Sequence, residues 1–89
     1  PATKILLLAI FPRSHKPDPY RAEVYQVNKI LATFDGHDAI TYLDIDKNFV
    51  EPDGTILKTT LRDYVHPTQK GYEIWVRAMA PTLDKLLAQ

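Results

Sequence analysis

The sequence predicts an α/β domain portion built around two parallel strands and two flanking helices. Three observations carry that expectation. The segment Lys4–Phe11 (KILLLAIF) is an unbroken apolar run of strand length. An amphipathic stretch separates it from a second such run, Ala39–Ile45 (AITYLDI), which is the order of a βαβ unit. The last part of the chain then returns to helical periodicity.

Lys4–Phe11 has no polar alternation, so it reads as a strand buried on both faces, as in a parallel sheet. Pro12 closes it. The segment Pro12–Pro19 holds three prolines and reads as a loop, because proline lacks a backbone donor and disfavours helix in the residue before it. That loop follows the carboxyl end of a parallel strand, where open α/β sheets place their ligands. Arg13, Ser14 and His15 are therefore candidate pocket-rim residues, with a solvated loop as the alternative.

Tyr20–Phe34 reads as a helix. Tyr20, Val24, Val27, Leu31 and Phe34 form one apolar stripe, which Ile30 widens. Asp18 before Pro19 supplies an N-cap with proline at the first helical position. Asp35-Gly36 ends the helix, Gly36 being suited to a left-handed cap. Asn28 lies beside the stripe, placed either to bond a loop backbone or to face water.

Ala39–Ile45 is the second strand, reached by a right-handed crossover. Asp44 near its end reads as a turn or cap residue. Phe49-Val50 forms an apolar anchor before the turn Glu51-Pro52-Asp53-Gly54, and Ile56–Leu61 reads as a short helical turn. The final helix spans Thr68–Gln89, capped by Thr68. Tyr72, Trp75, Val76, Met79, Leu83 and Leu86-Leu87 recur at helical spacing as core contacts. Pro81 falls inside this pattern, which predicts a kink or a split near Met79–Ala80.

Composition narrows the function classes. A chain of 89 residues holds one domain at most, and residues 1–89 are taken as one unit. At that size it is marginal unless well packed or assembled. With 45% apolar and 25% charged residues the composition is that of ordinary globular protein. A net charge of zero gives no electrostatic footprint for nucleic acid or an anionic membrane. The absence of cysteine excludes disulfides, thiolate zinc sites and cysteine nucleophiles. The apolar run Ile5–Phe11 is too short to span a bilayer and lacks a signal-peptide cleavage site. No sorting segment is visible, so the sequence assigns no compartment. The chain starts at Pro1, as a processed piece or fragment would.

The stretch Arg62–Tyr72 (RDYVHPTQKGY) carries the chemistry. A carboxylate stands three residues before a histidine, on a turn that leads into a helix. From there Asp63 can accept the Nδ1–H of His66, fix its tautomer and leave Nε2 free to take a proton from a nucleophile. Pro67, with its preset φ, stiffens the exit from His66. Taken alone, such a pair is also what a solvated turn or a helix cap contains. A metal site using His15, His37 and His66 is disfavoured, since no pair has ligand spacing and no carboxylate set converges on them. No metal and no cofactor is expected.

The ordered set ILLLAIFPR, Asn28 in the following helix, YLDI, Asp53-Gly54-Thr55-Ile56 and DYVHPTQKGYEIW resembles the C-terminal half of an SGNH (GDSL-type) hydrolase. Within that family it is most similar to the branch holding the catalytic subunits of platelet-activating-factor acetylhydrolase. The resemblance covers essentially the whole chain. It implies the C-terminal βαβα portion of a flavodoxin-like, three-layer α/β/α fold, and a Ser-His-Asp triad that cleaves small acyl esters of lipids or carbohydrates. Carried over, His66 is the general base and Asp63 its partner. The family's nucleophile lies in a Gly-Asp-Ser block, and its oxyanion donors come from that serine, a glycine and an asparagine, all in the N-terminal half. None of these blocks is here. Ser14 is the only serine and lacks a nucleophile's setting, and Asn28 is mid-helix, unlike the oxyanion asparagine.

The resemblance therefore implies half of a catalytic site, inactive alone. An edge of the apolar strand would be left uncovered, which invites association. The expected partner is a complementary N-terminal segment or a second copy. The alternative is a non-enzymatic binding or assembly module that uses this edge and the Arg13–His15 loop.

Overall fold

In the computed structural model, which describes residues 3–88, the chain runs through strand β1 (Ile5–Leu8), helix α1 (Pro19–Ala32), strand β2 (Ile40–Leu43), a single 3₁₀ turn (Asp46–Asn48) and helix α2 (Gln69–Leu87). β1 and β2 pair in parallel, with Ile5 opposite Ile40 and Leu8 opposite Leu43. This is the expected βαβ order. Both strands are shorter than the apolar runs that contain them.

Each helix starts where its cap dictates. Asp18 is extended, and its carboxylate accepts the Arg21 N–H at 2.9 Å, with Pro19 opening the helix. Helix α1 stops at Ala32, two residues short of Phe34, and the chain then turns through Gly36 at a φ of 83°. Thr68 caps α2, its hydroxyl accepting the Gly71 N–H at 3.1 Å. Helix α2 continues through Pro81 as one helix and not two. The residues on either side of Pro81 share an inward face, from Ile74, Trp75 and Ala78 to the half-buried Leu83 and Leu86, so packing carries the helix across the missing bond. Gln89, the expected helix end, lies outside the described residues.

The core sits under α2. It is built from Ile45, Phe49, Ile56 and Leu61, all from the irregular segment after β2, with Phe11, Ile74, Trp75 and Ala78 packed against it. Phe11 meets Phe49 at 4.8 Å and Trp75 edge-on at 5.0 Å between ring centres.

The apolar strand is left partly uncovered, as expected of a sheet of two strands: β1 is half-buried, and Ile5 and Ile10 are 45% and 46% exposed. The burial expected on the two helices is corrected. On α1, the stripe residues Tyr20, Val27 and Phe34, and Ile30 beside them, face outward. The inward face holds buried Arg21 and Asn28 with half-buried Val24 and Leu31. On α2, likewise, Tyr72, Val76 and Leu87 are exposed.

Candidate functional site

A short turn over residues 57–61 feeds the site, with the Thr60 and Leu61 N–H groups both donating to Leu57 O. Leu61 then bridges Pro67 in antiparallel fashion, Arg62 N–H donates to His66 O at 3.0 Å, and Thr68 N–H donates to Thr60 O at 3.0 Å. These bonds close a loop whose tip is Asp63, Tyr64, Val65 and His66. Tyr64 takes a left-handed φ of 63°, an uncommon conformation outside glycine. Beneath the loop lies Gly71, where a Cβ would overlap the Thr60 carbonyl oxygen, so the first turn of α2 lies against the loop base.

At the tip, Asp63 Oδ1 accepts the N–H groups of Val65 (3.0 Å) and His66 (2.7 Å), while Oδ2 lies 2.6 Å from His66 Nδ1. The His66 N–H, then the His66 ring, hold the Asp63 carboxyl well below the usual carboxylate range. An ionised Asp63 places the proton on Nδ1 and leaves the Nε2 lone pair free. Both side chains are about half exposed or more, at 49% for Asp63 and 63% for His66. The arrangement is an oriented imidazole that can take up and return a proton at Nε2.

The loop after β1 reaches the same place. Ser14, also left-handed at a φ of 78°, donates its N–H to Tyr64 O at 3.0 Å. The His15 ring stacks on Tyr64 at 4.9 Å, and Lys58 lies over the same ring at 5.7 Å. The Arg13 guanidinium sits over Tyr20 instead. The expected rim loop is thus brought beside the Asp63–His66 tip. The pKa of Asp18 is lowered by Ser14 beside it, ahead of the Arg21 N–H. His37 is apart from this cluster, in the turn after α1, where its N–H donates to Phe34 O. Among the described residues no group of three or more His, Cys, Asp or Glu side chains is set to hold a metal.

Three buried polar residues complete the surroundings. Arg21, only 2% exposed, donates through Nε to Arg13 O (2.9 Å), through Nη2 to Ser14 O (2.6 Å) and through Nη1 to Gly54 O. Asn28 closes on the end of β1, accepting Ile10 N–H at 2.7 Å and donating to Ile10 O at 2.9 Å, and its amide also reaches Asp46 Oδ2 at 3.1 Å. Of the two placements open to Asn28, the structure takes the backbone-bonding one. Burial, and then the charge of Asp44, push the Asp46 carboxyl up to about 7. Asp44 itself accepts the Asp46 N–H at 2.8 Å, which is the turn role expected of it. Sequence reasoning passed over Arg21 and Asp46. The available signal was spacing: Arg21 and Asn28 are seven residues apart and share the face of Val24 and Leu31.

The family model for GDSL-like lipase/acylhydrolase matches residues 4–79. The chain belongs to this family. Platelet-activating factor acetylhydrolase IB subunit alpha1 from Homo sapiens is 38% identical over 90 residues, covering 100% of this chain and 39% of the relative. The alpha2 subunit from Gallus gallus is 36% identical, again over 100% of this chain and 39% of its own length. The chain therefore spans 39% of the length of these curated relatives. A GDSL-like lipase from Bacteroides thetaiotaomicron superposes with a TM-score of 0.70 at 19% identity, over 93% of this chain and 43% of that structure. The mixed α/β architecture expected from the sequence is thus a portion of a GDSL-family fold, and the family resemblance is borne out. Among the described residues, no helix is long and apolar enough to cross a membrane.

Proposed function

We propose that this chain supplies the acid–base half of a serine ester hydrolase, with His66 as general base and Asp63 as the group that orients it. The observation that carries this reading is the 2.6 Å contact from Asp63 Oδ2 to His66 Nδ1, made by a carboxylate that two backbone N–H groups already hold in place. In the reaction, His66 Nε2 takes the proton of a serine hydroxyl as its oxygen attacks the ester carbonyl. The imidazolium, stabilised by Asp63, then returns the proton to the leaving alcohol. Water repeats the sequence on the acyl-enzyme.

The nucleophile and the oxyanion donors come from outside the chain on this reading. Ser14 is the only serine, and it sits in the loop between β1 and α1. Residues 1–89 are then the C-terminal half of one domain, inactive alone and completed by an N-terminal half. The length of the relatives supports this, and so do the outward apolar residues Ile5, Ile10, Ile30 and Phe34. Membership of a lipase/acylhydrolase family, and relatives named as acetylhydrolases, favour a small acyl ester of a lipid or carbohydrate as substrate. The same exposed flank also favours a second reading, a non-enzymatic module that assembles through it with another chain or a second copy.

The test is hydrolysis of p-nitrophenyl acetate by the full-length protein. His66→Ala is expected to lower kcat by about 10⁴- to 10⁶-fold, the scale of losing a triad member. Turnover unchanged by His66→Ala would remove His66 as the base, and no turnover above background would leave the assembly module.

A further inference from the structure

We propose that Arg21 is a positioning residue for the Asp63–His66 pair, acting through the loop at residues 13–16; the proposal rests on the hydrolase reading above. Arg21 is buried in the first turn of α1, yet it is not needed to start that helix, because Asp18 and Pro19 already do so. Its three bonds run instead to carbonyls of two separate segments, Arg13 and Ser14 on one side and Gly54 on the other. A buried guanidinium is tolerated only when its donors are satisfied, so these carbonyls are held where the fork requires them.

The consequence passes along the backbone. Ser14 has a left-handed φ of 78°, a sparsely populated region for a residue with a Cβ. Such a conformation persists when its neighbours over-determine it. Here Arg21 grips the Ser14 carbonyl, and Tyr64 O takes the Ser14 N–H at 3.0 Å. Tyr64 is itself left-handed and lies directly between Asp63 and Val65, whose N–H is one of those that pin Asp63 Oδ1. The His15 ring stacked on Tyr64 couples the loops a second time. If Ser14 relaxed, Tyr64 would lose its support, and the Val65 and His66 N–H groups would turn away from the carboxylate.

Lysine cannot replace this device, because one ammonium does not present the planar fork that reaches carbonyls on both segments. Gly54 lets the same node be perturbed from its other side. Its φ of 90° disfavours any Cβ, and a Cβ there would stand 3.0 Å from Pro17 Cγ, so Gly54→Ala shifts the carbonyl that Arg21 holds and presses on the loop while the guanidinium itself is kept.

The experiment uses the full-length protein with Arg21→Lys, Gly54→Ala and, as a control for lost stability alone, Val24→Ala on the same face of α1. The readouts are the low-field proton resonance of the hydrogen-bonded His66 Nδ1–H and the separate values of kcat and KM. Arg21→Lys and Gly54→Ala are expected to weaken or abolish the resonance. Both should lower kcat by about ten- to a hundredfold, the cost of a small misplacement of a catalytic group, with little change in KM. Val24→Ala is expected to lower Tm and keep both readouts. The proposal is overturned if the resonance and kcat survive in Arg21→Lys and Gly54→Ala, or if Val24→Ala moves them equally. Failure of the hydrolase reading looks different: His66→Ala would leave turnover intact, while the resonance would still report whether Arg21 positions the pair.

Discussion

Replacing Asp46 by asparagine should make the protein more stable at neutral and alkaline pH. Asp46 is only 4% exposed; one carboxyl oxygen receives the Asn28 amide, and the other has no hydrogen-bond partner. Burial and the neighbouring Asp44 raise its pKa from 3.8 to about 7. Between those values the folded protein holds a proton that the unfolded chain releases. The contribution to stability is therefore complete below pH 3.8, falls as pH rises, and is gone above about 7. At about 1.4 kcal/mol for each tenfold change in proton affinity, the loss is on the order of 4 kcal/mol. Asparagine keeps the shape and the bond to Asn28, and its amide can donate towards Asp44 instead of repelling it. Asp18, Asp53 and Asp63 have lowered pKa values, so their contribution is lost only on the acid side and does not mask this window. Urea unfolding across a pH series, followed by Trp75 fluorescence, measures the effect. Asp46→Asn should flatten the fall in stability between about pH 4 and 7 and exceed the parent at pH 8 by up to about 4 kcal/mol. A parent curve with no fall in this window, or a variant less stable than the parent at pH 8, would refute the reasoning.

Other substitutions probe the loop and the pair. Gly71→Ala drives a methyl into the Thr60 carbonyl, which is backbone and yields little, so a loss of about 2–3 kcal/mol is expected in thermal unfolding. The same variant should disturb the Asp63–His66 amide resonances, since Thr60 forms the loop base. Asp63→Asn removes the acceptor that holds Nδ1–H, and kcat of the full-length protein should fall about 10⁴-fold with KM little changed.

Local chemistry was legible in the sequence, and long-range packing was not. The caps at Asp18 and Thr68, the turn at Glu51–Gly54 and the Asp63–His66 contact each depend on residues a few positions apart, so spacing alone placed them. The inward face of α1 was misjudged because periodicity ranks residues by hydropathy. The structure buries Arg21 and Asn28 to satisfy carbonyls of loops that no local pattern reveals. The core was legible only in part: the apolar anchor Phe49-Val50 was placed, but its meeting with Ile45, Ile56 and Leu61 was not, since these residues follow neither helix nor strand period. β1 was overextended for a related reason: an apolar run records burial, whereas strand length is set by where the partner's hydrogen bonds stop, at the Leu8–Leu43 pair. Proximity of the Ser14–His15 loop to Tyr64 rests on two left-handed residues, neither a glycine, which sequence does not flag.

The central claim is that this chain carries the base and its carboxylate but not the nucleophile. The most direct test compares p-nitrophenyl acetate turnover by the 89-residue chain alone with turnover by the same chain joined to an N-terminal half bearing the serine block, each with and without His66→Ala. The account predicts no His66-dependent turnover from the chain alone and strong His66-dependent turnover once it is joined. His66-dependent turnover by the chain alone, or turnover in the joined protein that ignores His66, would contradict it.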